Sequence, residues 1–108
     1  VHSCGICNQS GILHYFEDIR RNNAVDKMVG FAAINQINMD EKIITLSCRM
    51  SLEIVEKTIL AGAKIILSNA APTTASIQLA EEAGLTMIGF ARENRFNIYT
   101  HARRINTD

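Results

Sequence analysis

The chain has 108 residues, 47% hydrophobic and 20% charged, enough for one domain with its own core and too apolar for a disordered segment. Lys+Arg and Asp+Glu are both 11, so the formal net charge is zero, and the basic excess that non-specific nucleic-acid or anionic-membrane binding requires is missing. No apolar run nears the roughly 20 residues of a membrane span, and 3 cysteines, an odd number, argue against a secreted disulfide scaffold and for a reducing, cytoplasmic setting.

Residues 1–7 and 12–17 read as two strands joined by Asn8-Gln9-Ser10-Gly11, a run of hairpin residue types. Residues 23–36 read as a helix with Asn23 as N-cap and Val25, Met28, Val29, Ala32 and Ala33 at helical spacing. Ile43–Leu46 is a short apolar run and predicts a buried strand. Ser51 opens a second helix carrying Leu52, Val55 and Ile59, with Glu53 and Lys57 as an i,i+4 pair and Gly62 placed to end it. Lys64–Leu67 is the next strand, Pro72–Thr74 starts a third helix ending near Gly84, Thr86–Phe90 is a further strand, and Phe96–Tyr99 alternates like a half-exposed last one. The order is ββαβαβαββ. Strands alternating with helices imply crossovers and a largely parallel sheet covered on both faces, with the opening hairpin adding antiparallel strands at one side. The chain starts at Val1, without an initiator methionine and already in a strand pattern, so residues 1–108 are expected to be a single domain of a longer protein.

Ligands of such sheets bind beyond the carboxyl ends of the parallel strands. The segments at those ends carry Glu17, Asp18, Arg20, Arg21, Asn22 and Asn23, then Ser47, Cys48, Arg49 and Ser51, then Ser68, Asn69, Thr73 and Thr74, then Arg92, Glu93, Asn94 and Arg95. Five of the seven arginines fall here and none of the four lysines does. The planar guanidinium fork suits phosphate and carboxylate in a way that a lysine does not. Two of these loops lead into helix starts, at Ser51 and Thr73-Thr74, whose free N–H groups would add to an anion site. A phosphate-bearing ligand over this edge is one reading, and solvated loop arginines are the other.

Cys4 and Cys7 form a CxxC, which raises zinc or redox chemistry, with His2, His14 and Cys48 as further ligand types. Residues three apart in a strand point to opposite faces, so Cys4 and Cys7 are expected to fill space in the core rather than converge on a metal. The zinc-deaminase signature, His-x-Glu followed by Pro-Cys-x-x-Cys, is absent. His14 and His101 read as ordinary polar residues.

Four blocks carry a resemblance. Glu17 to Lys27 is similar to E-D-V-G-R-H-N-A-x-D-K, Ser47 to Lys57 to S-G-R-A-S-x-E-M-V-x-K, Ala70 to Ala75 to S-A-P-[ST]-x-x-A, and Gly89 to His101 to G-F-x-R-x-x-R-F-N-x-Y-T-H. Together, and in order, they resemble the formate dehydrogenase accessory sulfurtransferases, the FdhD family, over nearly the whole chain. His2 falls where that family has a histidine before small residues. The resemblance implies a cytidine-deaminase-like, three-layer α/β/α fold with a mixed sheet, used without deaminase chemistry. It implies a sulfurtransferase that takes persulfide sulfur from a cysteine desulfurase and passes it to bis-molybdopterin guanine dinucleotide for formate dehydrogenase, acting as a homodimer in the cytoplasm. It carries over Phe90, Ala91, Arg92, Glu93, Asn94 and Arg95 as cofactor contacts. Arg49, Ser47, Ser51, Asp18 and His2 join them as candidate binding residues, with GDP as surrogate ligand and no zinc. The catalytic residues are unknown here, because the family's persulfide CxxC lies upstream of the matched region, so this chain, by the resemblance the C-terminal cofactor-binding domain of a longer protein, is expected to be inactive alone. Departures from the pattern are Arg20 and Asn22, for the family's glycine and histidine, and Cys48 and Met50, for its glycine and alanine. The alternative is a nucleotide- or pterin-binding dimerisation module without chemistry.

Overall fold

In a computed structural model of the chain, the described residues are 2–92 and 95–105, with 90–92 and 95 described by backbone alone. The expected order ββαβαβαββ is present. It comprises β1 (His2–Asn8), β2 (Gly11–Asp18), α1 (Arg21–Ile34), β3 (Ile43–Leu46), α2 (Leu52–Leu60), β4 (Ile65–Ser68), α3 (Thr74–Ala83), β5 (Thr86–Arg92) and β6 (Arg95–Thr100), then a short 3₁₀ turn, Ala102–Arg104.

The six strands form one mixed sheet in the order β2-β1-β3-β4-β5-β6. β3, β4 and β5 are mutually parallel, while β1 pairs antiparallel with both β2 and β3, and β6 pairs antiparallel with β5. β2 therefore points the same way as β3, and each helix is a crossover between strands of the same sense. All three crossovers step in one direction across the sheet. Right-handed connections that step one way place every helix on the same face. α1 touches α2 and α2 touches α3, and Lys57 of α2 bonds to Asp26 of α1 at 2.8 Å. The expectation of helices on both faces is thus met on one face among the described residues, which supply the sheet and one helical layer.

The core lies between that layer and the sheet. Cys4, Ile6, Ile44, Leu46, Ile66 and Met87 on the strands meet Val25, Met28, Ile54, Val55 and Ala80 on the helices. The alternation of each strand sets the face: neighbours in register such as Ile6, Ile44, Ile66 and Met87 all point to the helices.

Local chemistry fixes the boundaries. Ser51 caps α2, its hydroxyl accepting from Ile54 N–H at 3.4 Å. Thr73 and Ser76 form a reciprocal capping box at α3, which ends on Gly84 in the left-handed region, φ 75°. α1 starts two residues earlier than its sequence suggests. Asn23 lies within its first turn, and Arg20, in the cap position, makes no side-chain capping bond. Asp18 causes the early start, because its carboxylate accepts the Arg20 N–H at 3.0 Å and turns the chain there. β5 and β6 run on past the polar residues that suggested a wider loop, with Arg92 opposite Arg95.

Candidate functional site

Because β1 and β6 run against the parallel strands, one edge of the sheet collects the start of β1, the ends of β2, β3, β4 and β5, and the start of β6. The expected rim therefore exists as a place. His2 sits opposite Asp18, and Ser3 and Ser47 are joined twice, Ser3 N–H donating to Ser47 Oγ at 2.7 Å and Ser47 N–H to the Ser3 carbonyl at 3.1 Å.

The segment after β3 alternates in burial. Cys48 is 6% exposed and Met50 fully buried, while Ser47 and Arg49 are exposed. The two residues that are bulkier than their counterparts in the resembled family therefore fill the core and leave the rim open. Arg49 projects outward between them. Arg20 and Arg21, at the uncapped start of α1, are also exposed, and no acidic residue lies in that helix's first turn. Arg21 is near enough for its charge to act on the Cys48 thiol, although burial outweighs it and raises that thiol's pKa.

Other predicted members are committed within the protein. Asp18 bonds to Lys27 at 2.9 Å besides the Arg20 N–H, and these contacts lower its pKa from 3.8 to about 2. Asp26 pairs with Lys57 at 2.8 Å, so Asp18 and Asp26 are both held by lysines. Ser51 and Thr73 spend their hydroxyls on caps, each taking one first-turn N–H of the helix starts that sequence offered to an anion. The start of α1, whose Arg20 and Arg21 sequence placed among the rim arginines without naming a helix start there, carries no such side-chain cap. The signal was present as two adjacent arginines ahead of a helical pattern. Glu93 and Asn94 lie outside the described residues, and Phe90, Ala91, Arg92 and Arg95 are placed at the rim by their backbone.

The thiols behave as fillers. Cys4 belongs to the helix-side core, and burial pushes its pKa up to about 12. Cys7 faces the other way, its Sγ 3.8 Å from Thr45 Oγ1. Among the described residues no three of His, Cys, Asp and Glu gather as metal ligands.

A cavity of about 680 Å³ lies at the opposite edge, lined by the Asn8–Ser10 turn, Glu41, Lys42, Ile43, Ile65, Arg104 and Ile105. Its arginine is occupied: Arg104 Nη1 donates to the Gly84 carbonyl and to Thr86 Oγ1. Among the described residues, the guanidinium groups without a bonded partner, those of Arg20, Arg21 and Arg49, stand at the carboxyl rim.

Residues 1–106 match the FdhD/NarQ family. The chain belongs to the FdhD/NarQ family. Relatives include the sulfur carrier protein FdhD of Thermoplasma acidophilum, 45% identical over 97% of this chain and 38% of that protein, and that of Saccharolobus solfataricus, 46% identical over 97% and 42%. Among solved structures, a Desulfotalea psychrophila protein assigned as a formate dehydrogenase accessory protein superposes with TM-score 0.91 at 30% identity, over 97% of this chain and 45% of that one. A Thermotoga maritima diaminohydroxyphosphoribosylaminopyrimidine deaminase/reductase superposes with TM-score 0.58 at 9% identity, over 82% of this chain and 29% of that one, which shows a shared deaminase-like fold alone. This FdhD/NarQ chain spans about two-fifths of the length of the curated relatives it matches.

Proposed function

We propose that this FdhD/NarQ chain is the ligand-holding domain of a sulfur-transferring maturation protein for formate dehydrogenase, and that it binds the guanosine diphosphate portions of bis-molybdopterin guanine dinucleotide. The observation that carries this is the start of α1. Two exposed arginines stand where a helix disfavours cations, with no side-chain cap and no acid within the first turn; Asp18, just ahead of it, is shared between the Arg20 N–H and Lys27, and Arg49 is exposed on the same edge of the sheet. A helix start that adds positive charge to its own positive end is stabilised by an anion. The donor set is cationic and fork-shaped, as a diphosphate requires.

In this role Arg20, Arg21, Arg49, Arg92 and Arg95 hold phosphate oxygens. Ser47 and His2 contribute polar contacts at the β1–β3 side, and Asp18 and Ser51 keep the backbone in place. Phe90, Ala91, Glu93 and Asn94 complete the ligand loop. The sulfur reaches the bound cofactor as a persulfide, loaded by a cysteine desulfurase onto a cysteine upstream of the matched region. Formate dehydrogenase receives the product, and the protein works in the cytoplasm as a homodimer.

Calorimetric titration with GDP, with guanosine as control, tests the ligand. GDP binds and guanosine does not, and Arg49→Ala or Arg95→Ala weakens GDP by about 1.5–3 kcal/mol, about ten- to 150-fold. Unchanged affinity in both variants refutes the phosphate role. A binding module without chemistry is the second reading; the burial of Cys4, Cys7 and Cys48 supports it only in that none of these thiols carries the sulfur itself. Mass spectrometry of the full-length protein after incubation with desulfurase and cysteine separates the two readings. A persulfide adduct supports transfer, and its absence supports binding alone.

A further inference from the structure

β3 and β4 stop pairing at Leu46 and Ser68, and the two chains meet again at an isolated parallel bridge between Met50 and Pro72. One fully buried side chain spans the gap. Ser68 Oγ donates to the Cys48 carbonyl at 2.7 Å and accepts the Ala70 N–H at 3.1 Å. Beyond it, the Thr73 N–H reaches the Met50 carbonyl at 3.4 Å. Arg49 is therefore held on both sides, by the carbonyls of its neighbours and by their buried side chains, in a segment outside any helix or strand.

We propose that Ser68 is a positioning residue for Arg49, its hydroxyl locking the loop after β3 to the loop after β4 so that the guanidinium is presented ready-aimed at the rim. A flexible loop would have to be ordered on binding, and holding it beforehand removes that cost. Ser68 is out of reach of solvent and hence of any ligand, so it acts only through the loop. The inference about ligand affinity rests on the phosphate reading above; the inference about loop order does not.

Two measurements on the same variants separate them. Hydrogen exchange of the Arg49, Met50 and Ser51 amides is compared in the wild type, Ser68→Ala and Thr58→Val. The last removes another fully buried hydroxyl, which donates to the Ile54 carbonyl within α2. Ser68→Ala speeds these amides by about two- to tenfold, the factor one net hydrogen bond supports, and Thr58→Val does not. Ser68→Cys, which keeps the volume and weakens the donor, gives the same direction if the alanine variant folds poorly. Equal exchange in both variants overturns the inference. GDP titration then completes a double-mutant cycle: Ser68→Ala weakens binding in the native background and adds nothing in the Arg49→Ala background. Equal weakening in both backgrounds overturns the action through Arg49. A wild type that does not bind GDP refutes the phosphate reading instead, and the exchange result then decides the positioning role alone.

Discussion

Arg49 shows how alternation in a short extended segment assigns roles, since Cys48 and Met50 turn inward and the residue between them faces out. Gly89 shows the opposite constraint. A Cβ there would sit 2.8 Å from Tyr99 Cε2 and 3.1 Å from the Ala70 carbonyl, so Gly89→Ala is expected to cost about 1–3 kcal/mol in chemical denaturation. Asp18 has a pKa lowered from 3.8 to about 2, through the Arg20 N–H first and Lys27 second. A depressed carboxylate contributes stability above its unfolded pKa and loses it as pH falls through the folded one. Asp18→Asn should therefore flatten the acid limb of the stability curve between pH 3.8 and about 2, with little change in its shape near neutrality. Sequence could list Asp18 among the polar groups at this edge, because polar residues at strand ends are visible in order. It could not show that Lys27 folds back onto Asp18, since that contact depends on the angle at which α1 leaves β2.

The same division holds for the elements. The order ββαβαβαββ was legible because each strand is an apolar run of few residues and each helix carries apolar spacing. The start of α1 was not, since Asn23 is a good cap by residue type while the chain turns at Arg20 through Asp18. The ends of β5 and β6 were missed because pairing between Arg92 and Arg95 extends them, and pairing is not a property of local composition. Two substitutions contrast the helix starts. Thr73→Ala removes one arm of the capping box and should lower thermal stability by about 0.5–2 kcal/mol. Arg20→Ser supplies α1 with the cap it lacks and should raise stability by about 0.5–1 kcal/mol while weakening GDP binding. A gain in stability with undiminished GDP binding would show that Arg20 takes no part in the site.

At the scale of the molecule, the helices stack on one face because every crossover steps the same way, and the loops at the carboxyl edge are drawn together by the sheet that separates them from the hairpin turn at the other edge. The core behind them is continuous, so Ile66→Ala, at a fully buried site in the centre of the sheet, should cost about 2–5 kcal/mol in denaturant unfolding without moving the ligand. The family came from blocks of residues spread along the chain, whereas the single helical layer came only from the topology. The most direct test is amide chemical-shift mapping by NMR as GDP is added. A phosphate site at the carboxyl rim predicts shifts at His2, Arg20, Arg21, Arg49 and the Gly89–Arg95 segment, with Asn8–Ser10, Lys42 and Arg104 unmoved. Shifts confined to Asn8–Ser10, Lys42 and Arg104, around the cavity at the far edge, would contradict it.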